Sequence, residues 1–239
     1  MPLRREPRQF FSRRPIIKPA RVLIDFDGTI TLSDSVDALL STFASPEWLI
    51  VEQDWEEGLI GSAECMSRQA RLIRGKPEDL NRFIDSVELD DAARDVVEVC
   101  HATGIAFAIA SDGYDIVIDG VLERLGIACP SFSNTLRPCG ADRWELLSPH
   151  AQASCRSRAG TCKCALAEAG GAIVIGDGKS DFCVAERAEH VFAKGRLAQH
   201  CRERGISHTE ITCLGEIVKP LAAMLRQAST AAQASMEYR

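Results

Sequence analysis

Short, unbroken apolar runs alternate along the chain with longer stretches in which apolar residues recur three and four positions apart. Val22-Leu23-Ile24 is the first run, residues 105–110 (IAFAIA) the second, 172–175 (AIVI) the third and 190–193 (HVFA) a weaker fourth. Runs this short and this apolar read as strands buried on both faces, the pattern of a parallel sheet. Residues 90–103 place Ala93, Val96, Val97 and Cys100 on one helical face, with Gly104 as terminator. Residues 161–169 and 181–188 read as further helices. The alternation predicts an α/β chain, a parallel sheet covered by helices with right-handed crossovers.

One stretch breaks the alternation. Residues 33 to about 88 hold no convincing strand and read as helices opening at Ser35 (to Phe43), at Ser45-Pro46, at Ser62 and at Pro77. Ser before a helix and Pro at its first position are start signals. Leu49, Trp55, Met66, Leu72, Ile73, Leu80 and Phe83 can form a small core there.

Composition narrows the classes. The 239 residues are 46% hydrophobic and 26% charged, as in an ordinary globular chain, and the net charge of −6 argues against a nucleic-acid partner. No apolar run is long enough to span a bilayer. The first 18 residues carry five Arg and three Pro without the apolar centre of a secretory signal, so a flexible basic leader over 1–19 is expected. Ten cysteines without such a signal are expected to be reduced thiols in the cytoplasm, with Cys65, Cys100 and Cys183 as small core residues.

The candidate chemistry lies where the strands end. Asp25, Asp27, Ser111 and Asp177 each fall at or just past the end of an apolar run, and ligands of parallel sheets bind beyond those ends. Two carboxylates two positions apart could act together on one substrate, with Gly28 turning the chain away. A lone Asp-Gly commonly marks only a turn. Here a second Asp, the preceding strand and the later Ser, Lys and Asp-Asp elements would need explaining as well.

DFDGT, followed in order by Ser111, Lys163 and Gly176-Asp177-Gly178-Lys179-Ser180-Asp181, resembles the haloacid dehalogenase superfamily over residues 20–215. The resemblance implies a Rossmann-like core, residues 20–32 and 89–220, interrupted by an all-helical cap at 33–88 and followed by a helix or tail at 221–239. It implies a phosphatase in which Asp25 is the nucleophile and Asp27 the general acid and base. Ser111, Asp112 and Lys163 would hold the phosphoryl group. Asp25, Asp27 (through its main-chain carbonyl), Asp177 and the supporting Asp181 would form the metal site. Mg²⁺ suits such oxygen ligation, and it would offset the repulsion between an anionic ester and a carboxylate nucleophile. Dehalogenases of the superfamily lack the second acid, so Asp27 favours phosphate chemistry.

Phosphoserine phosphatases share this cap type but place a Glu, which grips the substrate amine, where this chain has Asp34. The chain is more similar to the methylthiopentenyl-phosphate phosphatases of methionine salvage. The matching features are DFDGTIT with Asp34, Pro46-Glu47-Trp48, Pro149-His150, and Cys162-Lys163-Cys164. It departs from them at Asp112-Gly113-Tyr114, where two glycines would follow Ser111, and at Cys164, where Pro would follow the Lys. The expected ligand is a small phosphate ester, a keto-enol or sugar-like one by this resemblance. Phosphoserine hydrolysis, transfer to an acceptor other than water, and a non-catalytic module are the alternatives. His150, Cys155, Cys162 and Cys164 could form a zinc site or a packed loop of thiols. The Ala-rich C-terminal tail could form a helix on a partner, as in a homodimer, or on its own core.

Overall fold

The computed structural model describes residues 21–167 and 171–237. The leader at 1–19 and the end of the helix expected at 161–169 lie outside them.

The apolar runs become the middle of a seven-stranded sheet. Its strands are β1 (Val22–Ile24), β2 (Phe107–Tyr114), β3 (Ser131–Pro138), β4 (Trp144–Leu147), β5 (Ile173–Gly176), β6 (His190–Ala193) and β7 (His208–Glu210). The order is β4-β3-β2-β1-β5-β6-β7, parallel throughout except for the antiparallel β3–β4 pair. β1 is central, with Ile24 level with Ile109 on one side and Ile175 on the other. Asp25, one residue on, therefore emerges from the middle of the sheet. Its N–H is fixed on the Ile175 carbonyl at 2.8 Å.

Side chains alternate across this sheet, and each face gathers its own core. Val22, Ile24, Ile109, Ile173 and Ile175 join one cluster; Leu23, Ala108, Ala110, Val174 and Val191 join the other. Helices α5 (Ala93–Thr103), α6 (Asp115–Leu125) and α10 (Val218–Glu237) accompany the first face. The second is covered by α7 (Lys163–Leu166), α8 (Phe182–Ala185) and α9 (Gly195–Arg204). Each fully buried Leu or Ile contributes about 1.5–3 kcal/mol over its exposed state. Leu221 and Leu225 of α10 are fully buried in the chain's own core. No helix among the described residues is long and apolar enough to cross a membrane.

Residues 33–88 fold as four helices, α1 (Ser35–Phe43), α2 (Trp48–Glu56), α3 (Ser62–Ala70) and α4 (Pro77–Ser86). They do not build a core of their own. Leu39, Leu40, Met66, Ile73 and Leu80 belong to the same cluster as the sheet face. Leu49, expected inside, is 56% exposed.

Elsewhere the differences are local. α5 starts at Ala93 because Asp90 serves a turn, accepting from the Ala92 and Leu214 N–H groups. Cys65 and Cys100 are buried as expected, whereas Cys183 is only partly so. Beyond Ala110, β2 does not stop. A register shift against β3 carries it through Ser111, Asp112 and Gly113 to Tyr114, so Ser111 lies within a bulged strand rather than after its end.

Candidate active site

The sharp turn after β1 brings two acids to one place. Gly28 adopts φ +68°, and a Cβ there would sit 2.4 Å from an Asp177 carboxylate oxygen. The position thus needs glycine twice, for its left-handed backbone and for the approach of Asp177. Gly28→Ala should lower stability by more than the roughly 1–2 kcal/mol of the backbone alone, and should displace Asp177. Gly58→Ala is the control, since Gly58 has φ +77° with nothing within 4 Å. Thermal unfolding of the two variants measures the difference; equal losses would remove the packing argument.

Asp25, Lys163 and Asp181 form a buried ionic chain. Lys163 Nζ lies 2.8 Å from Asp25 Oδ2, 2.6 Å from Asp181 Oδ1 and 3.1 Å from Ser180 Oγ. Ser180 Oγ in turn donates to Asp25 Oδ2 at 3.3 Å. Burial works against the Lys163 charge, but Asp181 and Asp25 outweigh it and hold the ammonium above its ordinary value. Burial, then the charge of Asp25, pushes Asp181 well above the usual carboxylate range, while Lys163 opposes the shift. Asp177 is raised to about 6 by burial and by Asp25, with Lys163 and the Thr29 hydroxyl, 3.1 Å away, pulling it down.

Asp27 takes a different environment two residues on. Its Oδ1 accepts from the Ser35 N–H at 2.9 Å and from the Ser35 hydroxyl; its Oδ2 accepts from Ser111 Oγ at 3.2 Å. Burial first, then Asp34, raises Asp27 well above the ordinary value, with Ser35 opposing. A carboxyl group whose protonated form is favoured in this way is suited to donate a proton.

One oxygen each of Asp25, Asp177 and Asp181 lies within 4.8 Å of the others. It is the only such group of His, Cys, Asp or Glu among the described residues. The Asp27 carboxylate, turned to Ser35 and Ser111, is not in it. Nor do His150, Cys155, Cys162 and Cys164 assemble a three-ligand site. His150 packs edge-to-face on Phe132, while the three cysteines line a separate cavity of about 210 Å³ with Cys183. Of the two arrangements expected, a zinc site or a packed loop of thiols, zinc would need the imidazole among the thiols, and here it faces an aromatic ring.

Asp112 also differs from expectation. Its carboxylate accepts from Ser62 of α3 and, at 2.7 Å, from the Thr161 N–H. It therefore ties the helical insert to the loop ahead of Lys163, leaving no donor on that side chain to offer a phosphate. Asp34 caps α1, accepting from the Val36 and Asp37 N–H groups at 2.8 and 3.0 Å, and its flank faces the cavity.

That cavity, about 280 Å³, is lined by Asp25, Asp27, Ser111 and Asp177 on the sheet side and by the insert on the other. The two sides are clasped. Lys179 donates to the Trp55 carbonyl at 2.8 Å and lies 4.3 Å over the Trp55 ring. Arg196 meets both carboxylate oxygens of Glu56, at 2.8 and 3.0 Å. Ser35, Ser180, Lys179 and Arg196 were not picked out from sequence. Ser180 and Lys179 stand inside the Gly176–Asp181 motif and could have been, whereas Arg196 carries no signal.

Comparison with known proteins agrees with this architecture. Residues 22–186 match the family of haloacid dehalogenase-like hydrolases. A 2-hydroxy-3-keto-5-methylthiopentenyl-1-phosphate phosphatase of Exiguobacterium sibiricum is 30% identical over 84% of this chain and 95% of its own. The enzyme of that name from Geobacillus kaustophilus is 30% identical over 84% and 94%. A substrate-bound phosphoserine phosphatase structure superposes with a TM-score of 0.61 at 20% identity, covering 84% of this chain and 98% of that one. A phospho-aspartyl intermediate analogue of phosphoserine phosphatase gives 0.62 at 19% identity, covering 84% and 99%. At these identities the two structures speak to the fold alone.

Proposed function

The chain belongs to the haloacid dehalogenase-like hydrolases, as a phosphatase acting on phosphoric monoesters, and we propose that Asp25 is the nucleophile of that reaction. The observation that carries this reading is the Asp25–Lys163–Asp181 chain at the centre of the sheet, with Asp27 held apart in its own environment.

Lys163 pairs with Asp25 at 2.8 Å and presents a positive charge beside it, where the equatorial oxygens of a transferring phosphoryl group would lie. Asp25 attacks phosphorus and the ester oxygen departs, giving an aspartyl-phosphate. Asp27, poised between Ser35 and Ser111, gives its proton to the departing alkoxide. It then takes one from the water that attacks the phosphoenzyme, which returns Asp25 and releases phosphate. Ser111 and the main-chain N–H groups of the β2 bulge supply neutral donors.

The all-oxygen donor set of Asp25, Asp177 and Asp181 fits a hard cation such as Mg²⁺. Asp25 and Asp177, with the Asp27 carbonyl and the supporting Asp181, are the residues that would hold it. When bound, the cation would neutralise charge between ester and carboxylates. Removing it by exhaustive chelation should abolish turnover of p-nitrophenyl phosphate, and Mg²⁺ should restore it. Full activity after chelation would count against the assignment.

The substrate is a small phosphate ester. The keto-enol phosphate in the relatives' name is the first to assay, and product analysis with added alcohols separates hydrolysis from transfer. The ten free thiols suit a reducing compartment such as the cytoplasm.

A further inference from the structure

The thiol-lined cavity of about 210 Å³ shares no lining residue with the reaction cavity. Cys155, Cys162, Cys164 and Cys183 face it, with Arg156 and Arg187. Cys155 and Cys162 belong to the loop between β4 and α7, Cys164 to α7 and Cys183 to α8. That loop runs directly into Lys163 and is tied down on its way. The Arg158 carbonyl accepts from the Ala63 N–H of α3 at 3.0 Å, and the Thr161 N–H donates to Asp112 at 2.7 Å. Arg158 is the only residue other than glycine with a left-handed backbone among the described residues, at φ +49°. Such a conformation costs roughly 1–2 kcal/mol, so the loop is turned tightly just ahead of the lysine.

The thiols are not equivalent. Cys155 is partly exposed, whereas Cys162 is buried. The Cys155 sulfur lies 3.3 Å from Ser157 Oγ, and it accepts from the Ser157 and Ala159 N–H groups and from the Cys162 thiol. Burial works against a thiolate there, but these donors outweigh it and hold Cys155 below the ordinary thiol value. Burial pushes Cys162 up, helped by its bond to Cys155 and opposed by the Ala165 N–H; burial pushes Cys164 up to about 11. One sulfur is thus suited to react, and its neighbour keeps a proton within hydrogen-bonding reach of it.

We propose that Cys155 and Cys162 are a reversible thiol–disulfide pair, oxidised by a hydroperoxide, whose closure displaces Lys163 from Asp25 and stops turnover. The Cys155 thiolate attacks one peroxide oxygen and the O–O bond breaks. The other oxygen leaves with a proton from solvent, as water or an alcohol, and Cys155 becomes a sulfenic acid. The Cys162 sulfur then attacks the Cys155 sulfur, the S–O bond breaks, and the hydroxide departs with the Cys162 proton as water. Two electrons pass from the pair of sulfurs to the peroxide. The new bond is about 2.05 Å long, far shorter than a hydrogen-bonded contact. The residues it encloses, Arg158 and Thr161 among them, must therefore shift, and Lys163 follows Cys162 directly. The effect on turnover rests on the phosphatase reading of Lys163; the bond itself does not.

The test treats the Mg²⁺-loaded protein with hydrogen peroxide, alkylates the remaining thiols and maps the chain without reduction. Trypsin, cutting after Arg156, Arg158, Lys163, Lys179 and Arg187, puts each of the four cavity thiols on its own peptide, so mass spectrometry identifies the pair directly. The peptide ending at Arg156 should be joined to residues 159–163. Turnover of p-nitrophenyl phosphate should fall by roughly tenfold or more, as expected for a displaced charge beside the nucleophile, and return with dithiothreitol. Cys155→Ser and Cys162→Ala should each keep the reduced rate and resist the peroxide. A different joined pair, no joined pair, a joined pair that leaves turnover unchanged, or an equal loss in both variants overturns the proposal. A reduced protein inert toward the ester would defeat the Asp25 mechanism instead, and the peptide map would still decide the bond.

Discussion

Asp25→Asn should abolish ester hydrolysis, by a factor on the order of 10⁴ or more, as when the nucleophile of a covalent mechanism is removed. The amide keeps the shape of the carboxylate and can still accept from the Phe26 N–H, which Asp25 Oδ1 does at 2.8 Å. It cannot form the aspartyl-phosphate. The fold should survive, because Asp25 is itself a source of strain among the acids: its charge raises Asp27, Asp177 and Asp181. Removing that charge relieves those groups while Lys163 retains Asp181. Thermal unfolding should therefore be little changed while turnover of p-nitrophenyl phosphate vanishes. Wild-type turnover in the variant would exclude Asp25 as the nucleophile.

Lys163→Met should fail in the opposite way, losing stability as well as activity. Lys163 is 5% exposed and answers two buried carboxylates at once. Breaking a buried pair by deleting one partner costs about 3–5 kcal/mol. For a chain of this length that corresponds to a melting temperature lowered by roughly 6–20 °C. Methionine nearly fills the volume of the alkyl stem, so a cavity would not explain the loss. The loss should also depend on pH. Lys163 opposes the upward shift of Asp181, so without the ammonium that carboxyl binds its proton still more readily folded than unfolded, and the deficit should shrink as pH falls. Unfolding curves in metal-free buffer at several pH values would show this. A deficit that stayed constant across the acid range would mean that charge is not its origin.

What was legible from sequence followed from physics that is local. Three apolar residues before Asp25 read as a strand buried on both faces, which places the acid at the carboxyl end of the sheet. Lys163 was legible through its order relative to Gly176-Asp177-Gly178. The helix starts at Ser35, Ser62 and Pro77 were legible because start signals are local, although the cap of α1 is Asp34 and Ser62 gives its hydroxyl to Asp112. Longer-range features were not. Ser111-Asp112-Gly113-Tyr114 has no strand pattern, and it becomes one through tertiary bonds, such as Asn134 Nδ2 on the Asp112 carbonyl at 2.5 Å. β3 escaped notice because SFSNTLRP has few apolar residues to show, and β4 because WELL is only four residues long. The Asp112–Ser62 contact joins residues 50 positions apart. In the cysteine loop the three thiols share one cavity, but the imidazole that a zinc site would add faces Phe132 instead.

The bond between Asp27 and Ser35 has a consequence for the order of events. Ser35 opens the first helix of the insert, so any outward swing of that layer to admit an ester withdraws both of its donors from the acid. Asp27 is then left with Ser111 alone and is free to rotate away. The acid's readiness is thus tied to where the first helix of the insert sits, so a change that loosened that helix would reach the proton donor without touching it.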